Sequence, residues 1–167
     1  MYDHTRINTA PGSLERAIEI ALIAHAGQTD KAGAPYILHP LRVMLAQDTG
    51  AARIAGVLHD VVEDGDGWTL ERLRAEGFAP EVMEAVAAVT KRPEEEGKDL
   101  ETYLAFVRRA AAHPVGRAVK RADLLDNCVL SRIAQPTDED HRRVEKYRRA
   151  LEELDRVEEA ARQGDCA

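Results

Sequence analysis

The sequence predicts an all-α fold, and three observations carry that prediction. Aromatic residues make up only 4% of the 167-residue chain. Val, Ile and Thr do not gather into the alternating runs that half-buried strands require. Apolar residues recur instead at spacings of three and four, in an Ala-rich context that favours helix. The length suits one compact domain spanning residues 1–167, with a core from about residue 13 to about residue 160 between polar ends.

The first helix is expected from Ser13 to His25, because Leu14, Ala17, Ile18, Ala21 and Leu22 fall on one face. Ser13 suits the N-cap, and Gly27 a stop. Gln28–Pro35 reads as a loop around Gly33 and Pro35. A second helix should begin near Pro40, carry Leu41, Val43, Met44 and Leu45, and end before Gly50. A third should cover Ala51–Glu63; its centre, Ile54–Leu58, is apolar nearly all round and should be buried. Asp64-Gly65-Asp66-Gly67 breaks it; lacking the later ligands of a calcium loop, this run reads as an ordinary turn. Thr69 caps a short helix to about Glu76, and Pro80 starts another carrying Val82, Met83, Val86 and Val89. Lys91–Lys98 reads as a solvated loop. Helices follow over Leu100–Ala112 and Pro114–Ile133, then a capped turn at Gln135-Pro136-Thr137. The last helix is a charged rod with one apolar stripe: Val144, Tyr147, Leu151, Leu154 and Val157.

The formal net charge is −7, from 23 basic and 30 acidic side chains, so binding to a nucleic-acid backbone is disfavoured. No uncharged apolar run approaches the roughly 20 residues of a membrane span. The polar Met1–Pro11 segment lacks a secretory pattern, and Cys128 and Cys166 form neither a zinc motif nor a disulfide framework. A cytoplasmic protein that binds no nucleic acid or membrane is therefore expected.

The chemistry gathers in three places. His59-Asp60 lies on the apolar third helix, where a charged Asp is costly without a partner. Glu63 and Asp64 follow at helical spacing. Far along the chain, Asp123 and Asn127 share a face of a packed helix, and His39 sits in an uncharged run at a helix start. If these elements converge, two carboxylates about 4 Å apart repel by about 4 kcal/mol at an effective dielectric of about 20, which calls for a cation. Two imidazoles (His39, His59) and two carboxylates (Asp60, Asp123) suit Mn²⁺ or Fe²⁺ best, and Zn²⁺ or Mg²⁺ less well. An ion there would make hydroxide available near neutral pH, with Glu63 and Asp64 placed to orient water or move protons.

The ordered motifs Ala24-His25-Ala26-Gly27-Gln28, Pro35-Tyr36-Ile37-Leu38-His39-Pro40-Leu41, Gly56-Val57-Leu58-His59-Asp60-Val61-Val62-Glu63-Asp64, Ala88-Val89-Thr90-Lys91 and Lys120-Arg121-Ala122-Asp123 with Asn127 run through nearly the whole chain. With them the sequence resembles the HD-domain metal phosphohydrolases, and more narrowly the (p)ppGpp hydrolase domain of the RelA/SpoT group and its small stand-alone relatives. The resemblance implies an HD-type helical bundle and Mn²⁺ held by His39, His59, Asp60 and Asp123. It implies catalytic roles for Glu63 and Asp64, and a substrate contact from Asn127. It implies hydrolysis of the 3′-pyrophosphate of a guanosine nucleotide, giving GDP or GTP and pyrophosphate. The remaining length leaves no room for a synthetase domain, so a hydrolase-only protein is expected. Lys31, Lys91 and Lys120, in or beside the matched motifs, are the phosphate candidates, with Lys31, Asn127 and Lys120 taken as the substrate contacts.

Two departures bear on the substrate. Asp30 stands where the family loop usually carries Arg, and a carboxylate lacks the flat cationic surface of a guanidinium. It is free to accept hydrogen bonds from a different base edge. Cys128-Val129-Leu130 replaces the polar or basic group usual after the Asn. Two alternatives follow: an HD phosphohydrolase acting on another nucleotide, and a non-catalytic nucleotide-binding module that keeps its metal for stability.

Blander roles are expected elsewhere. His25 reads as a structural hydrogen-bonding residue, and Asp123 has the alternative of an ion pair with Lys120 or Arg121. Trp68 should pack beneath the acidic turn, and Cys128 should be a small buried packer. Arg108-Arg109 and Arg148-Arg149 read as solvated helix faces, Cys166 as a tail thiol, and His4, His113 and His141 lack motif support.

Overall fold

The computed structural model describes residues 9–96 and 99–164, and it is all-α. The expectations for His4, Lys98 and Cys166 lie outside the described residues. The helices are α1 (Leu14–Ala24), α2 (Leu38–Leu45), α3 (Gly50–Leu58), α4 (Val61–Asp64), α5 (Leu70–Ala75), α6 (Pro80–Val89), α7 (Leu100–Ala112), α8 (Pro114–Asn127) and α9 (Asp138–Gly164). Single 3₁₀ turns lie at Pro93–Glu95 and Leu130–Arg132. Among the described residues the one pairing of extended backbone is an antiparallel bridge from Thr29 to Pro35, which closes the loop between α1 and α2.

Local chemistry sets many of the ends. The Ser13, Thr49, Thr69 and Asp99 side chains each accept a backbone N–H of the first turn of α1, α3, α5 and α7. Pro80 and Pro114 occupy the start of α6 and α8, where no N–H is needed. Thr137 and Asp140 bond each other's backbone and side-chain groups at the head of α9. Gly27, at φ +78°, turns the chain away after α1.

Three boundaries differ from the sequence reading. α2 begins at Leu38, two residues before Pro40, because Pro35 and Tyr36 carbonyls already take the N–H groups of Leu38 and His39. The expected Ala51–Glu63 helix is interrupted at His59-Asp60. His59 Nδ1 lies 2.8 Å from the Gly56 carbonyl, and Asp60 adopts φ −101° and ψ −3°, so the chain bends there. α8 ends at Asn127 rather than Ile133: Cys128 N–H doubles back on Leu124 and Leu125, and the chain leaves through the 3₁₀ turn.

α3 and α8 lie at the centre. α3 packs on α1, α2, α6 and α8; α8 packs also on α2, α6, α7 and α9. The main core joins α1, α3 and α6 through Ile20, Val57, Leu58 and Val86. A second cluster joins α7 and α9 through Phe106, Val107, Ala150 and Leu154. Gly56 lets α2 and α3 close up: a Cβ there would stand 3.3 Å from Met44 Cα. That approach brings His39 on α2 against His59 at the end of α3. Trp68 is buried as expected, with the Arg72 guanidinium 3.8 Å from its ring centre. Cys128 is only half-buried rather than a core packer.

Residues 91–96 are largely exposed, as a solvated loop should be, but Arg109 departs from the solvated face expected of it. Arg109 grips Glu95 at 2.6 Å through both Nε and Nη2. It also donates to the Ala87, Ala88 and Thr90 carbonyls, the open end of α6. One side chain thus caps α6 and fixes the segment carrying Lys91. Its neighbour Arg108 is also engaged, with Glu101 and Glu153. Arg109→Leu should destabilise the protein by about 2–4 kcal/mol in chemical denaturation, because Glu95 and three carbonyls lose their donor together. A change within experimental error would contradict this role.

Candidate metal centre and active site

Four side chains from three parts of the chain meet where α2, the α3–α4 bend and α8 come together. His39 Nε2 lies 3.2 Å from His59 Nε2. Asp60 Oδ2 is 2.9 Å from His59 Nε2 and 3.6 Å from His39 Nε2. Asp123 Oδ1 is 3.3 Å from His39 Nε2 and 3.8 Å from His59 Nε2. His39, His59 and Asp60 form the tightest group, with donor atoms all within 4.8 Å of one another. His39, His59 and Asp123 are buried.

The outer nitrogens determine what the inner ones can do. His39 Nδ1 is 2.7 Å from Asp126 Oδ2, an atom that only accepts. His59 Nδ1 faces the Gly56 carbonyl, also only an acceptor. Both rings therefore carry their hydrogen on Nδ1. Each Nε2 therefore faces the other and two carboxylates, with a lone pair when its ring is neutral and with an N–H when the ring is protonated. Such a group requires positive charge at its centre, supplied by protons or by a metal ion. Two imidazole nitrogens and two carboxylate oxygens fit a first-row divalent cation well.

The protonation balance follows this geometry. Burial works to lower the His39 value, but hydrogen bonding to Asp123 and Asp126 outweighs it and raises it to about 9. Burial likewise opposes a charged His59, and Asp60 overcomes it, so the value is raised. Asp60 and Asp123 are held below the ordinary carboxylate range: burial pushes both upward, but His59 outweighs it for Asp60, and Lys120 with the imidazoles outweighs it for Asp123.

The two sequence-based readings of Asp123 fall on different oxygens. Oδ2 accepts from Lys120 Nζ at 2.8 Å, the expected ion pair, whereas Oδ1 faces the imidazoles. Asn127 Nδ2 donates to that same Oδ1 at 2.6 Å and to the Asp123 carbonyl at 3.1 Å, so in this structure the amide positions the carboxylate.

Glu63 and Asp64 lie just beyond the cluster on α4. Glu63 accepts from Lys91 N–H and Lys91 Nζ, both at 2.8 Å. The Asp64 carboxyl is pushed up, first by burial and then by Asp60 and Glu63. Its backbone is fixed by Gln28 Nε2, 2.8 Å from the Asp64 carbonyl, and Gln28 Oε1 is in turn 2.9 Å from His25 Nδ1.

Two cavities flank the cluster. The larger, about 650 Å³, is lined by Asp60, Glu63, Asp64, Lys91, Lys120 and Lys146 among others. The smaller, about 210 Å³, is lined by Asp30, Lys31, His39, Arg42 and Arg132. Tyr36, Asn127 and Tyr147 line both. Lys31 is exposed at the mouth of the smaller cavity. Asp30 does not hold its whole carboxylate ready for a base edge: Oδ1 accepts the N–H groups of Ala32 and Ala34, each at 2.9 Å, and pins the loop.

Sequence reasoning missed several contributors. Asp126 holds His39 and is itself held by Arg42 and Arg132 at 2.7 Å each. Its position three residues after Asp123, in a helix already judged to be packed, was the available signal. Tyr36 donates its hydroxyl to Asp60 Oδ2; burial, then Asp60, keeps that hydroxyl protonated.

No protein-family model matches the chain. It is similar to a probable GTP pyrophosphokinase of Mycobacterium leprae, 35% identical over 147 residues, which cover 83% of this chain and 18% of that protein. It is 36% identical over 120 residues to a guanosine-3′,5′-bis(diphosphate) 3′-pyrophosphohydrolase of Aquifex aeolicus, covering 68% of this chain and 17% of that protein. A probable pyrophosphohydrolase of the same name from Synechocystis is 46% identical over 88 residues, covering 50% and 11%. The chain thus spans less than a fifth of these relatives' length. A solved structure described as a metazoan ortholog of SpoT that hydrolyses ppGpp superposes with a TM-score of 0.70. It is 22% identical, and the match covers 92% of this chain and 88% of that one. The class is therefore an all-α helical bundle with the fold of that structure. Within that class, the chain resembles the (p)ppGpp hydrolase domain of the RelA/SpoT group. No helix among the described residues is long and apolar enough to cross a membrane.

The raised His39 value gives a pH signature for metal-free protein. The folded value of about 9 exceeds the unfolded value of 6.5. Its contribution is thus fully present below pH 6.5 and lost as pH rises through 9. Metal-free protein should melt at progressively lower temperature across that interval, and His39→Gln should flatten the profile. An unchanged profile in the variant would contradict the assignment.

Proposed function

We propose that this chain is a metal-dependent phosphohydrolase that cleaves the 3′-pyrophosphate from guanosine-3′,5′-bis(diphosphate) and its pentaphosphate analogue, releasing pyrophosphate and GDP or GTP. The observation that carries the reading is the convergence of His39, His59, Asp60 and Asp123 between two cavities, beside the acid pair Glu63 and Asp64. The names of the relatives support the substrate.

His39, His59, Asp60 and Asp123 would hold one divalent ion, with Asp126 orienting the His39 ring. Mn²⁺ is the ion proposed; Fe²⁺, Zn²⁺ and Mg²⁺ are alternatives that the donor set also admits. When bound, the ion supplies Lewis acidity that makes hydroxide available near neutral pH. Hydroxide attacks the phosphorus attached to the 3′ oxygen, the bond from that phosphorus to the 3′ oxygen breaks, and the ribose oxygen takes a proton. Asp64, with its carboxyl pushed up, is suited to carry a proton, and Glu63 to orient water through its bridge to Lys91. Lys31 and Asn127 hold the nucleotide from the smaller cavity, and Lys120 steadies Asp123 while facing the phosphates. This reading also carries a cytoplasmic setting and a role in the stringent response.

A second reading, an HD phosphohydrolase for another nucleotide, is favoured by one observation. The loop facing the smaller cavity is pinned by Asp30, and no guanidinium occupies that position.

Metal-loaded protein incubated with ppGpp should release pyrophosphate. Glu63→Gln with Asp64→Asn should slow turnover roughly a hundred- to ten-thousandfold at equal metal content. Cleavage of other nucleotides but not ppGpp would move the assignment to the second reading. Absence of any turnover, with nucleotide binding equal in wild type and double variant, would replace the enzyme with a binding module.

A further inference from the structure

Three lysines from separate elements converge on the larger cavity: Lys91 after α6, Lys120 on α8 and Lys146 on α9. Two aromatic rings of α7 organise them. Lys91 Nζ and Lys120 Nζ lie 5.8 Å and 4.8 Å from the Phe106 ring centre. Lys120 Nζ and Lys146 Nζ lie 5.7 Å and 4.4 Å from the Tyr103 ring centre.

Their charge balance differs. Lys91 is paired with Glu63 and Lys120 with Asp123, each at 2.8 Å. Lys146 has no carboxylate partner among the described residues; its ammonium group rests against Tyr103 and, at 5.4 Å, Tyr147. Burial, then Lys91, Lys120 and Arg143, pushes the Lys146 value down. Glu63, Asp64, Glu95 and Glu96 also line this cavity, but no ion pair joins any of them to Lys146; a half-buried cation beside two others is stabilised when an anion arrives there. Its α9 position was read from the sequence as part of a solvated charged rod, and no motif singled it out.

We propose that Lys146 is a specificity-determining residue whose ammonium group, together with Lys91, receives the terminal phosphoryl group of a pyrophosphate ester, so that the site favours a two-phosphoryl tail over a single phosphoryl group. The inference rests on the phosphohydrolase reading above for its substrate class. It adds a division of labour. The nucleoside end lies on the Lys31 side of the cluster, and the leaving pyrophosphate extends toward α9. Lys120 serves the phosphate nearer the cluster, because its own partner is Asp123. Of the three lysines, Lys146 is the one without a carboxylate partner among the described residues, and it is left for the distal phosphate.

The test uses sodium pyrophosphate and sodium orthophosphate as probes, titrated calorimetrically into metal-loaded wild type, Lys146→Gln, Lys146→Arg and Arg149→Gln. Arg149 is exposed and paired with Glu145, so its variant controls for net charge. Lys146→Gln should weaken pyrophosphate binding roughly tenfold and orthophosphate binding less than about twofold, with Lys146→Arg close to wild type and Arg149→Gln unchanged. In turnover, KM for ppGpp should rise by the same factor while kcat changes little. Unchanged pyrophosphate binding in Lys146→Gln, or equal weakening of both probes, would overturn the proposal. The binding readout needs no turnover. A wild type that fails to cleave ppGpp but loses pyrophosphate affinity on Lys146→Gln would refute the hydrolase and keep the phosphate site. A wild type that cleaves ppGpp but shows equal affinities in both proteins would do the reverse.

Discussion

Two imidazole nitrogens and two carboxylates face one another at close range, and the site is organised around that confrontation. Left to themselves these atoms repel. They are held together by what stands behind them. Asp126 and the Gly56 carbonyl fix the rings, Tyr36 holds Asp60, and Lys120 with Asn127 holds Asp123. Lys120 takes the outer oxygen of Asp123, whereas Tyr36 and Asn127 donate to the inward-facing oxygens, each of which has a second lone pair. The arrangement therefore selects for a cation at the centre, and a divalent ion neutralises more of the charge than one proton.

The fold serves this convergence. α3 and α8 are the most enclosed helices, and each delivers site residues at or near its C-terminal end. α2 reaches the same point because Gly56 permits close helix packing. The acid pair sits on the far side of the bend, on a helix too short to be stable alone but tied to α1 through Gln28 and to Lys91 through Glu63. Arg109 secures the Lys91 segment in turn. The positions of Glu63 and Asp64 thus depend on long-range contacts.

Much of the helix order was legible because caps and periodicity act locally. Ser13, Thr69, Pro80 and Pro114 each mark the start of a helix by a rule that needs no tertiary information. The convergence of His39, His59, Asp60 and Asp123 was also anticipated, since buried ionisable residues in apolar helices need partners. The bend at His59-Asp60 was not legible, because it depends on an imidazole turning back to a carbonyl three residues earlier. Asp126 and Tyr36 escaped notice for a related reason: each acts through another side chain, and although the spacing of Asp126 from Asp123 was a signal, it does not name the histidine that Asp126 holds. Lys146 was hidden among the many charges of α9, and only packing distinguishes it from its solvated neighbours.

The central claim is that one ion completes the cluster through the inward-facing nitrogens. The most direct measurement is anomalous diffraction from crystals of the manganese-loaded protein, collected on both sides of the metal absorption edge. The account predicts one strong peak per chain, at about 2.0–2.3 Å from His39 Nε2, His59 Nε2, an Asp60 oxygen and Asp123 Oδ1. A peak bound through Nδ1 of either ring, one that omits Asp123, or a fully loaded protein with no peak between the two histidines would contradict it.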